Sequence, residues 1–491
     1  INFVNLFIAN ASKQLRNMGI VKVHGASRVQ TLKHLLLEIS IMILFSILVA
    51  LTLVQFLHPY FEALAGKAVP SLMESGWTFA LILLGIVMAT TFLAGIFPSF
   101  LISSVQPSKI IKNELTVGQS GKKLKNGLVV FQFVVSIFLI VGTITSEKQL
   151  NYMNRFDTGY NKENVLVLPL QTQELQQKID LLKEELNQMS LVKNVSAVSE
   201  VPYNGLAMNG YFPEGRTTPE MINVIDVDED FLALLDISMV SGNNFAKNMA
   251  TDDNSYLVNE SFVKKMGWEN PIGKTITRNG EHKIIGVVKD FNFASLRSNI
   301  NPLIITNASE IGPPNFLLVK SDRANLSQLI GDIENKWKAI SPNSLFEYQF
   351  LDQQFEKVYR AELSIQKLLR SFSFLTILVA LLGLLGLSRS SINNRIKEIG
   401  IRKVNGASSR EVLALLNKDY VKLILLSFLI AVPLAWYAMH KWLESFAYQT
   451  SLSWWIFALA GGITLLVALL TVSWQTIKAS RTNPANSLKT E

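Results

Sequence analysis

The chain has 491 residues, of which 49% are hydrophobic and 17% are charged, whereas about 25% of residues are charged in ordinary globular proteins. Cysteine is absent, which excludes disulfides and thiolate metal sites, and the five histidines show no metal-ligand spacing. The net charge of +8 does not indicate nucleic-acid binding, because residues 146–370 carry a net charge of −6 and the other residues carry +14.

Six apolar blocks hold the surplus of hydrophobic residues. In chain order they cover 35–57, 77–102, 127–145, 371–388, 420–440 and 454–476. Glu38 and Lys422 lie at block ends, and the blocks otherwise contain no Asp, Glu, Lys or Arg. Each block is near the length of about 20 residues that an apolar helix needs to cross a bilayer. The pattern predicts a multi-pass membrane protein with an α-helical bundle of six full spans.

The basic connections between these blocks predict the topology. Residues 9–33, 103–126, 389–422 and 478–491 hold nearly all of the excess positive charge, and they alternate along the chain with connections that are poor in Lys and Arg. The positive-inside rule assigns them to the cytoplasm. We expect them to contact anionic lipid headgroups. The same topology assigns residues 146–370 to one large extracytoplasmic domain.

Short patterns inside 146–370 predict a mixed α/β domain. Runs of β-branched and other apolar residues at 165–168, 284–288, 303–305 and 316–319 predict strands. Helical apolar spacing predicts helices at 173–189 and 325–340. Residues 350–371 predict a charged helix that runs without a break into the fourth span. Such a helix is either a lever that carries motion into the membrane or a rigid stalk.

Two nine-residue segments repeat each other: 19–27 reads GIVKVHGAS and 400–408 reads GIRKVNGAS. A second matching pair follows at 106–114 and 483–491, which predicts an internal duplication. Matching the copies places 1–9 on 382–390, so residues 1–8 are predicted to be the remaining part of a spanning helix. Because the chain also begins without methionine, we expect a longer protein, whose missing part holds another span and a second external domain.

No catalytic or metal site is predicted. Residues 267–275 fail as a phosphate-binding loop, because five residues separate the glycines where four are required, and one is proline. Residues 226–230 open like a calcium loop, but Phe231 and Ile237 stand where glycine and glutamate are needed, and a solvated strand edge is the simpler interpretation. The spans also lack the carboxylates that ion-coupled carriers use. Any transport therefore needs an energy source outside this chain.

Residues 393–416 predict an amphipathic segment at the cytoplasmic surface of the membrane, interrupted at Gly406. Two interpretations are open: an interfacial helix that anchors the bundle, and a docking element for a soluble partner. Repetition of the segment in both halves favours docking.

Residues 395–408, which read RIKEIGIRKVNGAS, closely resemble the cytoplasmic signature of FtsX-like permeases, the transmembrane subunits of MacB/LolE-type ABC transporters. The tail at 483–491 is similar to the end of such permease domains, and 270–274 and 286–293 resemble parts of the MacB periplasmic core domain. The resemblance implies a truncated first permease repeat at 1–126, a transmembrane helix at 127–145, a MacB-like domain at 146–370 and a second repeat at 371–491.

The resemblance also implies a function: the permease subunit of an ABC transporter in a bacterial inner membrane, used for efflux, lipoprotein release or mechanotransmission in the cell envelope. ATP and Mg²⁺ are expected on a separate ATPase dimer, with no cofactor in this chain, and a periplasmic adaptor or envelope protein is a further possible partner. The residues expected to dock the ATPase are Glu398, Gly400, Ile401, Arg402, Lys403, Gly406, Ala407 and Ser408 in the second copy and Gly19, Lys22, Gly25, Ala26 and Ser27 in the first.

The first copy departs from the family pattern, since Val21 stands in place of Arg402. Docking by this half is therefore expected to be weaker. Because both repeats lie in one chain, the polypeptide is expected to form a pseudo-dimer by itself. The alternative from a different class is a membrane-anchored sensory receptor, whose external domain signals to a cytoplasmic kinase. This alternative accounts for 146–370 but poorly for the duplication.

Overall fold

The computed structural model describes residues 2–9, 25–70, 76–92, 119–202, 205–246, 254–307, 312–322 and 325–480. Two compact units are present. The membrane unit contains Ile1–Gln149, Glu362–Trp442 and Ser451–Glu491, and the external unit contains Leu150–Ala361 and Leu443–Thr450.

The helices and strands follow in chain order. They are α1 (Asn2–Ala9), α2 (Arg28–Ala65), α3 (Gly76–Thr91), α4 (Gln119–Asn154), β1 (Val165–Pro169), α5 (Gln173–Gln177), α6 (Ile179–Asn187), β2 (Val192–Val198), β3 (Ala207–Pro213), β4 (Glu220–Asp226), α7 (Phe231–Leu234), β5 (Met239–Gly242), β6 (Ser255–Asn259), α8 (Glu260–Met266), β7 (Thr275–Thr277), β8 (Glu281–Val288), β9 (Leu303–Thr306), β10 (Phe316–Ser321), α9 (Leu326–Ile340), β11 (Gln349–Phe350), α10 (Leu351–Val358), α11 (Arg360–Asn394), α12 (Ile396–Val404), α13 (Ser409–Leu443) and α14 (Trp454–Ser480).

Five helices of the described chain are long and apolar enough to cross a membrane: Leu36–Ala65, Lys123–Asn154, Arg360–Asn393, Ser409–Leu443 and Trp454–Lys478. They confirm a helical membrane protein with a mixed α/β domain outside the bundle. The predicted second span begins as the shorter apolar helix α3, and residues 93–118 lie outside the described part of the chain. The count of six spans therefore stays a prediction.

Small residues allow the spanning helices to pack closely. Ala431 and Ala435 of α13 and Ala460 of α14 have no exposed surface, and they pack with Ile137 of α4. Helices in lipid associate through such close packing and through hydrogen bonds between them. Gln475, a glutamine within an apolar block, makes such bonds: its side-chain carbonyl accepts from Ser388 at 2.6 Å and its amide donates to the backbone carbonyl of Leu385 at 2.9 Å.

The first layer of the external unit is a four-stranded antiparallel sheet in the order β11-β1-β10-β2. Helices α5 and α6 lie between β1 and β2 in the chain, and α9 lies between β10 and β11, which gives a ferredoxin-like split β-α-β arrangement. Leu182 of α6, Val319 of β10 and Trp337 of α9 belong to its core, and all three have no exposed surface.

A β-barrel is inserted between β2 and β10. Its strands follow the order β8-β6-β9-β4-β3-β7, and β7 pairs again with β8, which closes the ring. Closure leaves these strands without a free edge along most of their length. Tyr211, Tyr256 and Ile304 have no exposed surface and fill the interior with their neighbours. Strand β5 extends the sheet along the far half of β8.

Two sequence-based helix predictions in this part of the chain are wrong about continuity. The predicted continuous helix at 350–371 is interrupted, because α10 ends at Val358 and α11 begins at Arg360. Tyr359 between them leaves helical geometry, with φ −100° and ψ 17°, and its side chain is only 2% exposed. The predicted helix at 173–189 likewise divides at Lys178 into α5 and α6.

Candidate functional site

The second copy of the duplicated segment forms the short helix α12, next to the inner end of α11. Ile399 is 7% exposed and Gly400 is buried, so one side of α12 faces the protein. Ile399 packs in a small apolar cluster with Ile392 of α11 and with Val412 and Leu416 of α13. This cluster anchors α12 to both spanning helices.

The opposite side of α12 faces outward. Ile401 is 54% exposed and Val404 is 67% exposed, although both are apolar. Arg402 lies between them in sequence and donates to the Glu398 carboxylate at 2.9 Å, one turn away. Two exposed apolar side chains beside a cation form a surface that a partner can cover. We call Glu398, Ile401, Arg402 and Val404 the docking face.

The end of α12 is fixed by its glycine. Gly406 has φ +88°, a left-handed conformation that other residues rarely adopt. Its N–H donates to the Lys403 carbonyl at 3.1 Å, and the N–H of Ala407 donates to the Arg402 carbonyl at 2.9 Å. This pair of bonds is a Schellman motif, which satisfies the last carbonyls of the helix.

The start of α13 is fixed by the next residue. The Ser408 hydroxyl accepts from the Glu411 N–H at 3.3 Å, and the Glu411 carboxylate accepts from the Ser408 N–H at 2.9 Å, which is a capping box. Arg395, just before α12, also forms an ion pair with Asp419 of α13 at 3.2 Å. The connection between α12 and α13 is therefore a defined joint.

The described residues of the first copy show two features of this joint. Gly25 has φ +96°, and Ser27 and Gln30 form a capping box at the start of α2. The repeated Gly-Ala-Ser thus has a structural reason: the glycine supplies the left-handed residue and the serine caps the next helix. Gly19 and Lys22 lie outside the described residues.

The predicted docking residues of the second copy therefore divide by position. Glu398, Ile401 and Arg402 belong to the docking face, Lys403 is half-buried, Gly400 faces the interior, and Gly406, Ala407 and Ser408 form the joint. Val404, the most exposed apolar residue of α12, was not in the predicted set. The helical period of 3.6 residues could have separated Gly400 from Ile401, because adjacent residues point about 100° apart.

A second group of contacts lies in the external unit and was not predicted. The backbone N–H of Leu296, a residue with no exposed surface, donates to the Tyr359 hydroxyl at 2.7 Å. This bond holds the segment 295–297 against the residue that separates α10 from α11. We call the segment 295–297, with Tyr359 and Leu443–Thr450, the external clamp.

The connection between α13 and α14 forms the other side of this clamp. The N–H groups of Ala447 and Tyr448 donate to the carbonyls of Arg297 and Leu296 at 3.1 and 3.3 Å. The Arg297 guanidinium lies 5.1 Å from the centre of the Phe446 ring, and Phe446 is 2% exposed. The sequence analysis used the connection between α13 and α14 only for its charge. Its aromatic residues Phe446 and Tyr448 were the signal that could have predicted a packed contact there.

The incoming chain joins the same place. Phe156, two residues after α4, packs its ring 4.7 Å from the Tyr448 ring. The chain leaving α4, the chain entering α11 and the connection from α13 to α14 therefore all meet at the external clamp.

Comparison with known families agrees with this arrangement. The family model described as FtsX-like permease C-terminal matches residues 1–114 and again 370–484. The family model described as MacB-like periplasmic core domain matches residues 131–336. The chain belongs to the FtsX-like, MacB-type ABC permeases. The double match also confirms that the permease carries the permease domain twice.

Individual proteins similar to this permease have low identity. The macrolide export ATP-binding/permease protein MacB of Aggregatibacter actinomycetemcomitans is 23% identical over 218 residues, which are 42% of this chain and 33% of that protein. The periplasmic region of MacB from Actinobacillus actinomycetemcomitans is 15% identical, with 41% of this chain and 94% of that one covered and a TM-score of 0.31. The extracellular domain of the noncanonic ABC-type transporter YknZ from Gram-positive bacteria is 14% identical, with 38% and 97% covered and a TM-score of 0.28.

The acidic segment 226–230 is not a solvated edge in this permease. Lys183 of α6 lies 2.7 Å from carboxylate oxygens of both Asp228 and Asp230. Burial acts to lower the pKa of Lys183, but the neighbouring carboxylates outweigh it and raise that pKa, so the lysine stays charged. Asp228 also accepts from Ser196 at 2.6 Å and from the N–H of Ala197 at 2.7 Å. These bonds tie the barrel to the ferredoxin-like layer.

The segment 267–275 of the permease is a turn of the barrel. Gly267 ends α8 with φ +71°, and β7 begins at Thr275. Lys274, at the position of a P-loop lysine, forms an ion pair with Glu214 at 2.7 Å and lies 5.3 Å from the Trp268 ring centre. The structure thus gives these residues a role in packing the surface of the barrel.

Proposed function

We propose that this chain is the permease subunit of an ABC transporter in a bacterial inner membrane, and that it couples a cytoplasmic ATPase dimer to its external domain. The chain itself hydrolyses no ATP, and ATP and Mg²⁺ bind the partner subunit. The observation that carries the proposal is the docking face: Ile401 and Val404 are exposed on a helix that is anchored from its other side. The charge pattern predicts that this helix belongs to a cytoplasmic connection.

A partner bound to the docking face could move α12 and, through it, α13. Covering Ile401 and Val404 removes apolar surface from water, and full burial of such a side chain stabilises by roughly 1.5–3 kcal/mol. The joint at Gly406 and Ser408 connects α12 directly to α13 through backbone and capping bonds. A displacement of α12 is therefore passed to a spanning helix rather than absorbed by a loose loop.

The external clamp is where we expect motion of α13 to reach the external domain. Helix α13 ends at Leu443, and the next residues bond to 296–297 in the external unit. In this proposal, ATPase closure moves α12, α13 follows, and the clamp transmits the motion to the external domain. Export of a cargo, release of lipoproteins and force on the cell envelope are three uses of that motion, which a periplasmic adaptor or envelope protein would distinguish.

The test compares docking-face variants with a matched surface variant in the full-length protein. Ile401→Glu and Val404→Glu, made one at a time, each place one negative charge on the docking face, whereas Asn393→Glu places one negative charge on an exposed residue at the end of α11. We expect each docking-face variant to retain about tenfold less ATPase subunit on purification, and the control to retain the wild-type amount.

Three results would contradict the proposal. Equal ATPase retention by all variants would remove the docking face from the interface. Capture of a kinase at Ile401 by a photocrosslinker would favour the sensory receptor. Vanadate-sensitive ATP hydrolysis by the chain purified without a partner would show that the energy source is internal.

A further inference from the structure

The short helix α1 packs along α11, and two glycines of α11 receive its side chains. The Asn2 side-chain amide donates to the backbone carbonyl of Val379 at 2.6 Å. A Cβ atom added to Gly383 would lie 2.2 Å from Asn2 Oδ1, and one added to Gly386 would lie 2.1 Å from Leu6 Cδ2. Because nonbonded carbon atoms pack at about 3.5–4.0 Å, both positions need glycine while Asn2 and Leu6 occupy them.

The register of this contact matches the duplication. When Gly19 is matched to Gly400, Asn2 falls on Gly383 and Asn5 falls on Gly386. Asn2 therefore contacts its own counterpart in the other repeat. In a two-fold interface only residues next to the axis contact their counterparts. The pseudo-two-fold axis that relates the repeats thus passes between α1 and α11 at this level.

The two sides of the axis are chemically different. The first repeat supplies Asn2 and Asn5, and the second supplies Gly383 and Gly386. If a first repeat paired with another first repeat, an asparagine would face an asparagine at the axis. If a second repeat paired with another second repeat, a glycine would face a glycine. The observed pair fills the space between the helices, and small residues of this kind are what allow two helices in lipid to approach closely.

Asn5 adds an independent observation. It has no exposed surface, and within the described residues neither side-chain nitrogen nor oxygen has a hydrogen-bond partner. Such a group costs free energy in an apolar surrounding. It stands one helical turn from Asn2 on the same face of α1. The first repeat thus carries polar side chains at this axis, where apolar ones would be more stable.

We infer that α1 and α11 form an asymmetric pairing seam, in which side chains of the first repeat fill glycine positions of the second and so select the other half of the same chain as partner. The seam goes beyond the proposed function, and it depends neither on the ATPase nor on the docking face. Its partner is therefore the first repeat in cis, rather than a second copy of the chain.

The first test is a compensation experiment on the full-length protein in detergent, with melting temperature as the readout. Gly383→Ala should lower the melting temperature by about 3 °C or more, and adding Asn2→Ala should recover at least half of that loss. Gly386→Ala should behave in the same way with Leu6→Ala. The crossed pairs, Gly383→Ala with Leu6→Ala and Gly386→Ala with Asn2→Ala, should show no recovery.

Gly462→Ala is the matched control, because Gly462 lies in the spanning helix α14 with no atom within 4 Å of an added Cβ. It should leave the melting temperature unchanged. Recovery in the crossed pairs, or wild-type melting of both Gly383→Ala and Gly386→Ala, would overturn the seam.

The second test identifies the partner and uses the absence of cysteine from the chain. Asn2→Cys with Gly383→Cys introduces one possible disulfide, which is mapped as a linked peptide by mass spectrometry after mixing isotope-labelled and unlabelled protein. Linked peptides of a single isotopic kind are expected from pairing in cis. Mixed linked peptides would place the contact between two copies, and absence of any link would remove the contact; either result overturns the inference.

Discussion

Replacing Tyr359 with phenylalanine removes one hydroxyl from the residue between α10 and α11. That hydroxyl accepts the N–H of Leu296 at 2.7 Å, and Tyr359 and Leu296 are 2% and 0% exposed. Phenylalanine has the same shape without an acceptor, so a buried donor loses its partner. The cost of such a loss is about 1–3 kcal/mol. For a unit of about 200 residues each kcal/mol corresponds to roughly 2–4 °C, which predicts a melting temperature lower by about 2–12 °C.

The assay combines calorimetry of the full-length protein with hydrogen exchange at the Leu296 amide. We expect Tyr359→Phe to lower the transition of the external unit and to speed exchange at Leu296. Tyr348→Phe is the matched control, because Tyr348 lies in the same unit and is 41% exposed. If Leu296 keeps its protection and the transition does not move, the hydroxyl does not hold the external clamp and the reasoning is refuted.

Two further predictions concern single polar groups. Asn5→Leu should raise the free energy of unfolding by about 1 kcal/mol, measured by denaturant unfolding in detergent, because it removes a buried unsatisfied amide at similar volume; a decrease would mean that Asn5 has a partner. The bonds from Lys320 and then Asn161 hold the pKa of Asp236 below its ordinary value. The stability they give is present above the unfolded pKa of about 4 and is lost as pH falls through the lower folded pKa. Asp236→Asn should therefore flatten acid unfolding of the external unit, and an unchanged acid profile would exclude Asp236 as a contributor.

The sequence predicted the membrane class and the mixed external domain because both depend on signals averaged over many residues. Strand β8 was predicted from its β-branched run at 284–288. The run is apolar at successive positions because most of these residues are buried in the barrel. Strand β3 (Ala207–Pro213) was not predicted, because glycine, asparagine and proline interrupt its pattern. Closure of the barrel by β7 depends on pairing between distant segments, and no local pattern reports it.

The same difference explains what was missed at the two candidate sites. Nothing in the sequence around Tyr359 resembles a helix breaker, and the hydroxyl at this interruption bonds to a residue 63 positions away. Gly400 and Ile401 were predicted together from the repeated segment and its resemblance to the family signature, whereas the helix directs one inward and the other outward. Local patterns predict which helix forms, but tertiary contacts decide where it stops and which of its residues stay accessible.

The two repeats have some structural features in common and differ in others. Within the described residues, both have a left-handed glycine, at 25 and 406, and a serine capping box after it. The proposed function accounts for this likeness, because in that proposal a push on either segment has to reach a spanning helix. The helices α1 and α11, which meet at the pseudo-axis, need different residues at equivalent positions. Asn2 and Gly383 occupy equivalent positions but fit only as a mixed pair, so divergence there, after duplication, is what turns two copies of one unit into partners for each other.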